Sequence, residues 1–122
     1  MKFLCFCCED EADLAAMSPQ QWQSLRTDTL AYVTQLEQDG RLTLALPLKS
    51  VRTARSLTVR GERAEVTDGP FAETKEQIGG VLLIEAEDMA QALEIAAGWP
   101  PARFGTVEVR QVEDELPEAS RH

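Results

Sequence analysis

The chain has one histidine, and it is the last residue, His122. Metal centres and general-base catalysis both draw heavily on histidine, so an internal site of either kind lacks its commonest participant. There is no Ser/His/Asp set, and no glycine-rich loop followed by a basic residue that would cradle a phosphate. Long apolar runs are missing too, since none approaches the ~20 residues of a membrane helix. The opening Met1-Lys2-Phe3-Leu4-Cys5-Phe6-Cys7-Cys8 is apolar but meets Glu9, Asp10 and Glu11 at once, and it has no small-residue cleavage site. That is too short for a secretory leader, so a cytoplasmic protein is expected. Cations are scarce: 12 Lys and Arg stand against 21 Asp and Glu, for a net charge of −9. Phosphate backbones and anionic bilayers repel such a chain, which argues against nucleic acid or membrane as direct partners. Lys49, Arg52, Arg55 and Arg60 lie close together, but a solvated edge explains them more simply than a binding patch. Three cysteines within four positions are odd in number, and Cys5 and Cys7 share one side of an extended chain. This suits reduced, buried thiols and not a disulfide framework. Zinc needs about four convergent ligands, and a catalytic thiol needs a base; neither is supplied, so no metal or cofactor is expected.

What is present is enough for one core. The 122 residues make one domain, 43% hydrophobic and 27% charged, as globular chains are. The domain is expected over 1–112, with 113–122 a polar C-terminal tail. Lys2 to Cys8 reads as a strand apolar on both faces: Phe3, Cys5 and Cys7 on one, Leu4, Phe6 and Cys8 on the other. Two apolar faces need two coverings, and a second subunit is the simplest source of one of them. A helix follows, with Ser18 as cap, Pro19 in the first turn, Gln21 completing a capping box and Gly40 as the left-handed stop. Trp22, Leu25, Thr29, Tyr32, Val33 and Leu36 form its expected core stripe. Arg41 to Leu48 reads as a strand with Leu42, Leu44, Leu46 and Leu48 in alternation, edged by Pro47. Arg55 to Arg60 and Ala64 to Thr67 read as a hairpin around Gly61, with Leu57, Val59, Ala64 and Val66 turned inward. Asp68 to Gly80 reads as a long loop punctuated by Gly69-Pro70 and Gly79-Gly80, and loops of that length are often functional. Val81 to Ala86 is a strand. A second helix is capped by Asp88 and Gln91, with Met89, Leu93 and Ala96 as its core face and Gly98 and Pro100 as its stop. Gly105 to Val112 is the last strand. The order predicts an α+β, ferredoxin-like β-α-β-β-α-β domain with an inserted hairpin and two helices on one face of an antiparallel sheet.

The segment Asp68-Gly69-Pro70-Phe71-Ala72-Glu73-Thr74-Lys75-Glu76-Gln77-Ile78-Gly79-Gly80 resembles the DGPF motif of the YCII-related proteins. Leu83-Ile84-Glu85-Ala86, Trp99-Pro100-Pro101-Ala102-Arg103 and Gly105-Thr106-Val107-Glu108-Val109-Arg110 extend the resemblance, which covers Met1 to Val112. It implies a homodimer of the dimeric α/β-barrel kind, with two ferredoxin-like sheets facing each other. It also implies a regulatory setting, since some members occur beside or fused to extracytoplasmic-type sigma factors. A related branch carries a catalytic His/Asp pair, which has no counterpart here. Where the family often has a histidine near position 104 this chain has Phe104, and where it often has a glycine pair near 44 and 45 it has Leu44-Ala45.

Five residues are candidates for a ligand site. Asp68 is either a carboxylate at a cleft mouth, and the one candidate catalytic group, or an Asx-type turn residue bonding backbone N–H groups after it. Phe71 is either a core anchor for the loop or a stacking platform. Lys75 is either an anion-attracting group or a solvated charge beside Glu73 and Glu76. Glu108 and Arg110 alternate with Val107 and Val109, so they should share the helix-free sheet face with Thr106 and Val112. Enclosed there, they would pair with each other, with a partner or with a ligand. Two functions follow. One is a small-molecule-binding or regulatory module, with a sigma factor as prospective partner. The other is an enzyme acting through carboxylates on a small anionic or aromatic metabolite in a cleft between sheets.

Overall fold

A computed structural model of the chain describes residues 1–114. The C-terminal tail beyond Asp114, with His122, lies outside the described residues. Strand β1 (Lys2–Glu9) leads through a short helix α1 (Glu11–Ala15) to the long helix α2 (Pro19–Gln38). Strands β2 (Leu42–Pro47), β3 (Arg55–Arg60), β4 (Arg63–Asp68) and β5 (Gln77–Glu85) follow. Helix α3 (Met89–Ala97) and strand β6 (Gly105–Gln111) close the domain. One four-stranded antiparallel sheet runs in the order β2-β5-β1-β6, and β3 and β4 form a separate two-stranded hairpin. Two long crossovers through α2 and α3, with the first strand inside the sheet, make this the ferredoxin-like arrangement expected.

The core lies between the sheet and the helices. Phe3, Cys5 and Ile84 are wholly buried, joined by Leu36, Leu82, Ala86, Ala92, Ile95 and Trp99, with Val107 and Val109 packed against them. The alternation in β1 and β6 thus sends the expected side chains to the helices. Ser18 and Gln21 form the reciprocal capping box, and Gly40 takes φ 69. Asp88 accepts from the Gln91 N–H, while the Gln91 side chain accepts from the N–H of Glu87, one residue before the cap. Tyr32 ties α2 to α3 by donating to the Ile95 carbonyl at 2.7 Å.

Several expectations are corrected. Helix α1, capped by Asp10, is an element that hydrophobic periodicity could not show, because none of its residues is buried. Trp22 is half exposed, whereas Leu25 and Leu36 of the same expected stripe are buried. On α3 the buried face is Ala92, Ile95 and Ala96; Met89 and Leu93 are exposed, because small side chains let the helix lie close to the sheet. The leucines of β2 do not share one face. A bulge between Leu42 and Leu44 turns Leu42 towards the helices and leaves Leu44 and Leu46 on the other side. Strand β5 starts at Gln77, so Gly79 and Gly80 lie within it and the loop is shorter than expected. The register slips there, Cys7 facing Gly80 and Cys8 facing Ile78, and the Glu9 side chain folds over Gly79 where a Cβ would collide with it. Finally, Leu57 pairs with Val66 and Val59 with Ala64 across the hairpin, but all four are exposed, not turned into a core.

Candidate functional site

The helix-free sheet face is built in rows. Register places Leu44, Leu83, Leu4 and Arg110 side by side across the four strands, and Leu46, Val81, Phe6 and Glu108 in the next row. Each row is therefore apolar on three strands and ends in a charge on the edge strand β6. Glu108 and Arg110 have the placement expected of them, exposed on this face. They do not pair with each other: among the described residues neither enters an ion pair. Glu108, Glu76 and Glu9 gather around the Cys8 thiol. Its pKa is raised first by burial and then by these three carboxylates. Burial alone pushes Cys5 up to about 11, and burial, with Cys5, Cys8 and Glu9 close by, pushes Cys7 up to about 12. Such thiols stay protonated at neutral pH and are poor nucleophiles.

A hollow of about 400 Å³ lies at the end of β1, beside the root of the hairpin. Its walls are Asp10 and Glu11, the 3-10 turn residues Val51 and Arg52, then Gly69, Pro70, Glu73, Thr74, Lys75 and Gln77. Local hydrogen bonds hold those walls. The Asp10 carboxylate accepts from the Ala12 N–H at 2.9 Å, capping α1, and Glu11 accepts from the Val51 N–H at 3.2 Å, stitching α1 to the turn. Ser50 accepts from the Arg52 N–H, and the Thr74 hydroxyl donates to the Glu76 carbonyl. Gln77 Nε2 donates to the carbonyls of Ala72 and Thr74 at 2.8 and 3.2 Å, so the first residue of β5 pins the loop before it.

Of the five sequence candidates only Lys75 lines this hollow. Asp68 ends β4 with its side chain 88% exposed and forms an ion pair with Arg55 across the hairpin at 3.1 Å. No backbone N–H after it bonds its carboxylate among the described residues, so the Asx-turn expectation is replaced by a cross-strand pair; the chain bends at Gly69 instead, with φ 93. Phe71 is 96% exposed and anchors no core of this chain, because the loop swings it away from the body. Lys75, Asp68 and Phe71 thus border one end of the molecule, while Glu108 and Arg110 sit on the sheet face. Sequence reading missed Asp10, Glu11, Glu73 and Gln77, and gave Arg52 only as part of a basic edge. The available signal was the acidic run Glu9-Asp10-Glu11 directly after a strand, a helix-start pattern that brings carboxylates to a loop-rich end.

A small carboxylate, Glu9, lies in a neighbouring hollow of about 40 Å³ with Glu11, Lys49 and Gln77. Burial, and then the charge of Glu11, raises its pKa. Among the described residues no group of three or more His, Cys, Asp or Glu could hold a metal ion, and no helix is long and apolar enough to cross a membrane.

A four-stranded antiparallel sheet with two crossover helices on one face and a hollow at the loop end defines a ferredoxin-like α+β domain. The family model for the YCII-related domain matches residues 1–115. An uncharacterized protein of Rhizobium meliloti (strain 1021) is 31% identical over 112 residues, covering 90% of each chain. The chain belongs to the YCII-related family.

Proposed function

We propose that this protein is a small-molecule-binding, regulatory module that works as a homodimer, with the hollow beside Arg52 and Lys75 as its binding site. The observation that carries the reading is that hollow itself: a concavity of ligand size, bordered by a loop that its own hydrogen bonds hold in shape.

The dimer is supported by apolar surface that has no cover among the described residues. Leu44, Leu46, Leu48 and Ile78 on or beside the sheet face are 39–51% exposed, and the hairpin adds Leu57, Val59 and Val66. Contiguous apolar patches of this kind mark association sites. Charge supports a second copy as the cover. Residues 49–75, an arm made of the β3–β4 hairpin and its flanking loops, hold six of the twelve basic side chains and only four of the twenty-one acidic ones, so the arm is positive and the body strongly negative. The arm of one copy complements the body of another, which offsets the repulsion between two chains of net charge −9. Two sheets facing each other would give the dimeric α/β barrel that the family resemblance implies. A role beside an extracytoplasmic-type sigma factor rests on that resemblance alone.

A second reading, an enzyme acting on a small anionic or aromatic metabolite, is favoured by Glu9. A carboxyl with a raised pKa at the edge of a hollow is what a general acid needs. The deciding experiment screens a metabolite library for thermal stabilisation of the wild type and of Arg52→Ala. The binding reading expects at least one compound that stabilises only the wild type, without being consumed. No stabilising compound contradicts it, and turnover that Glu9→Gln removes while binding persists favours the enzyme.

A further inference from the structure

We infer that the hollow beside Arg52 and Lys75 recognises a zwitterion of the α-amino-acid type with an apolar side chain. This deepens the binding reading above and rests on it. Five charged side chains rim the hollow, the cations Arg52 and Lys75 and the carboxylates Asp10, Glu11 and Glu73. Among the described residues none of the five forms an ion pair, with each other or with any neighbour. Opposite charges crowded on one small surface ordinarily collapse into pairs. Here the two carboxylates at the start of α1 are instead held to their wall by backbone N–H groups, Asp10 by Ala12 and Glu11 by Val51. The loop wall is held by Gln77, which pins the carbonyls of Ala72 and Thr74, with Glu73 between those two residues and Lys75 directly after them.

A ligand of one sign would be drawn to one set of groups and repelled by the other. A ligand carrying both signs a few ångströms apart satisfies both. The Arg52 guanidinium offers a planar fork to a carboxylate, with Lys75 as a second cation. Asp10 and Glu11 each use one hydrogen bond on the backbone and keep further lone pairs for an ammonium group. Val51 and Pro70 supply the apolar part of the lining. A volume of about 400 Å³ is at the small end of ligand sites, which suits one free amino acid and not a peptide or a nucleotide.

The test is titration calorimetry on the full chain with four probes: L-leucine, L-phenylalanine, N-acetyl-L-leucine, which keeps only the negative charge, and 3-methylbutylamine, which keeps only the positive one. At least one of the two amino acids is expected to bind about tenfold or more tighter than either single-charge probe, since each of those leaves one set of charges unanswered. Arg52→Ala should weaken that binding by about tenfold or more, and Arg52→Lys should recover only part of it, because an ammonium cannot reproduce the fork. Far-UV circular dichroism unchanged in both variants shows that the fold survives. Equal affinity for N-acetyl-L-leucine or for the amine overturns the inference, as does no binding of either amino acid. A library compound that stabilises the wild type and not Arg52→Ala, while both amino acids fail, overturns the ligand class and leaves the binding reading standing. If nothing in the library binds either, both fall together.

Discussion

The sheet with its helices and the β3–β4 hairpin use the same residue types to different ends. In the body, Phe3 and Ile84 face each other across β1 and β5, and neither is exposed at all. In the hairpin, Leu57 and Val66 face each other just as directly, yet 63% and 61% of their surface remains open. Both pairs lie in regular antiparallel register, so the contrast is not one of strand pairing. It is one of layers: α2 and α3 lie over one face of the sheet, and among the described residues nothing lies over the exposed Leu57, Val59 and Val66 of the hairpin. A two-stranded ribbon without a covering layer is only marginally stable in water. The helix-facing core completes itself, whereas the hairpin and the helix-free sheet face are the surfaces that the proposed dimer would cover.

Core truncation should separate the two regions most sharply. Phe3→Ala should lower the unfolding free energy by ~3–5 kcal/mol, because it removes a wholly buried ring and leaves a cavity. Leu57→Ala, measured by urea unfolding of dilute monomer, should cost under ~0.5 kcal/mol, as exposed substitutions do, while weakening self-association. Equal costs at the two sites would erase the distinction.

Glycines give a second contrast. A Cβ on Gly105 would run into the Cys8 carbonyl oxygen of the neighbouring strand, so Gly105→Ala must push β6 from β1, at ~1–3 kcal/mol by analogy with overpacking. Gly61 at the hairpin tip meets nothing, but its φ of 61 costs Gly61→Ala ~1–2 kcal/mol of hairpin conformation. Amide exchange should show the first change loosening the sheet and the second confined to the ribbon.

Polar substitutions come next. Ser18→Ala should destabilise the body by ~1 kcal/mol through its lost cap on α2. Asp68→Asn should cost less than ~1 kcal/mol, since the Arg55 pair it breaks is solvent-exposed. Thermal unfolding of both variants checks the order.

The smallest effect at neutral pH comes from the thiols. Cys5 and Cys7 have native pKa values raised from 9.0 to about 11 and about 12, so burial favours their protonated forms. Their contribution to stability is fully present below pH 9.0 and is lost as pH rises towards about 11 and then about 12, where the unfolded chain has already released its protons. A pH series of urea midpoints should fall across that window. Alkylation at pH 8 should mark Cys5 and Cys7 only after unfolding.

How much of this was legible beforehand follows from what each residue responds to. The strand alternation of Phe3, Cys5 and Cys7 and the caps at Ser18 and Asp88 are local, so they could be read directly, and with them the order of elements. Trp22, Met89 and Leu93 satisfied helical periodicity and yet face outward, because periodicity fixes a stripe but not which edge of it the sheet meets. The bulge that splits Leu42 from Leu44 depends on the partner strand, which no single segment discloses. The site was least legible. Asp10, Arg52 and Lys75 come from three separate segments, and only the tertiary path of the chain brings them to one hollow. Phe71 drew attention for its type, and its outward position follows from the lack of any layer above the loop among the described residues.

The claim on which the account turns is that the arm and the helix-free sheet face are finished by a second copy of this chain. Sedimentation equilibrium at tens of micromolar tests it directly, on the wild type and on Leu46→Asp, which places a charge on the apolar edge strand β2 of the exposed face. The account predicts a dimer of 13.5 kDa chains for the wild type and a folded monomer for the variant. A wild type that sediments as a monomer across that range would contradict it.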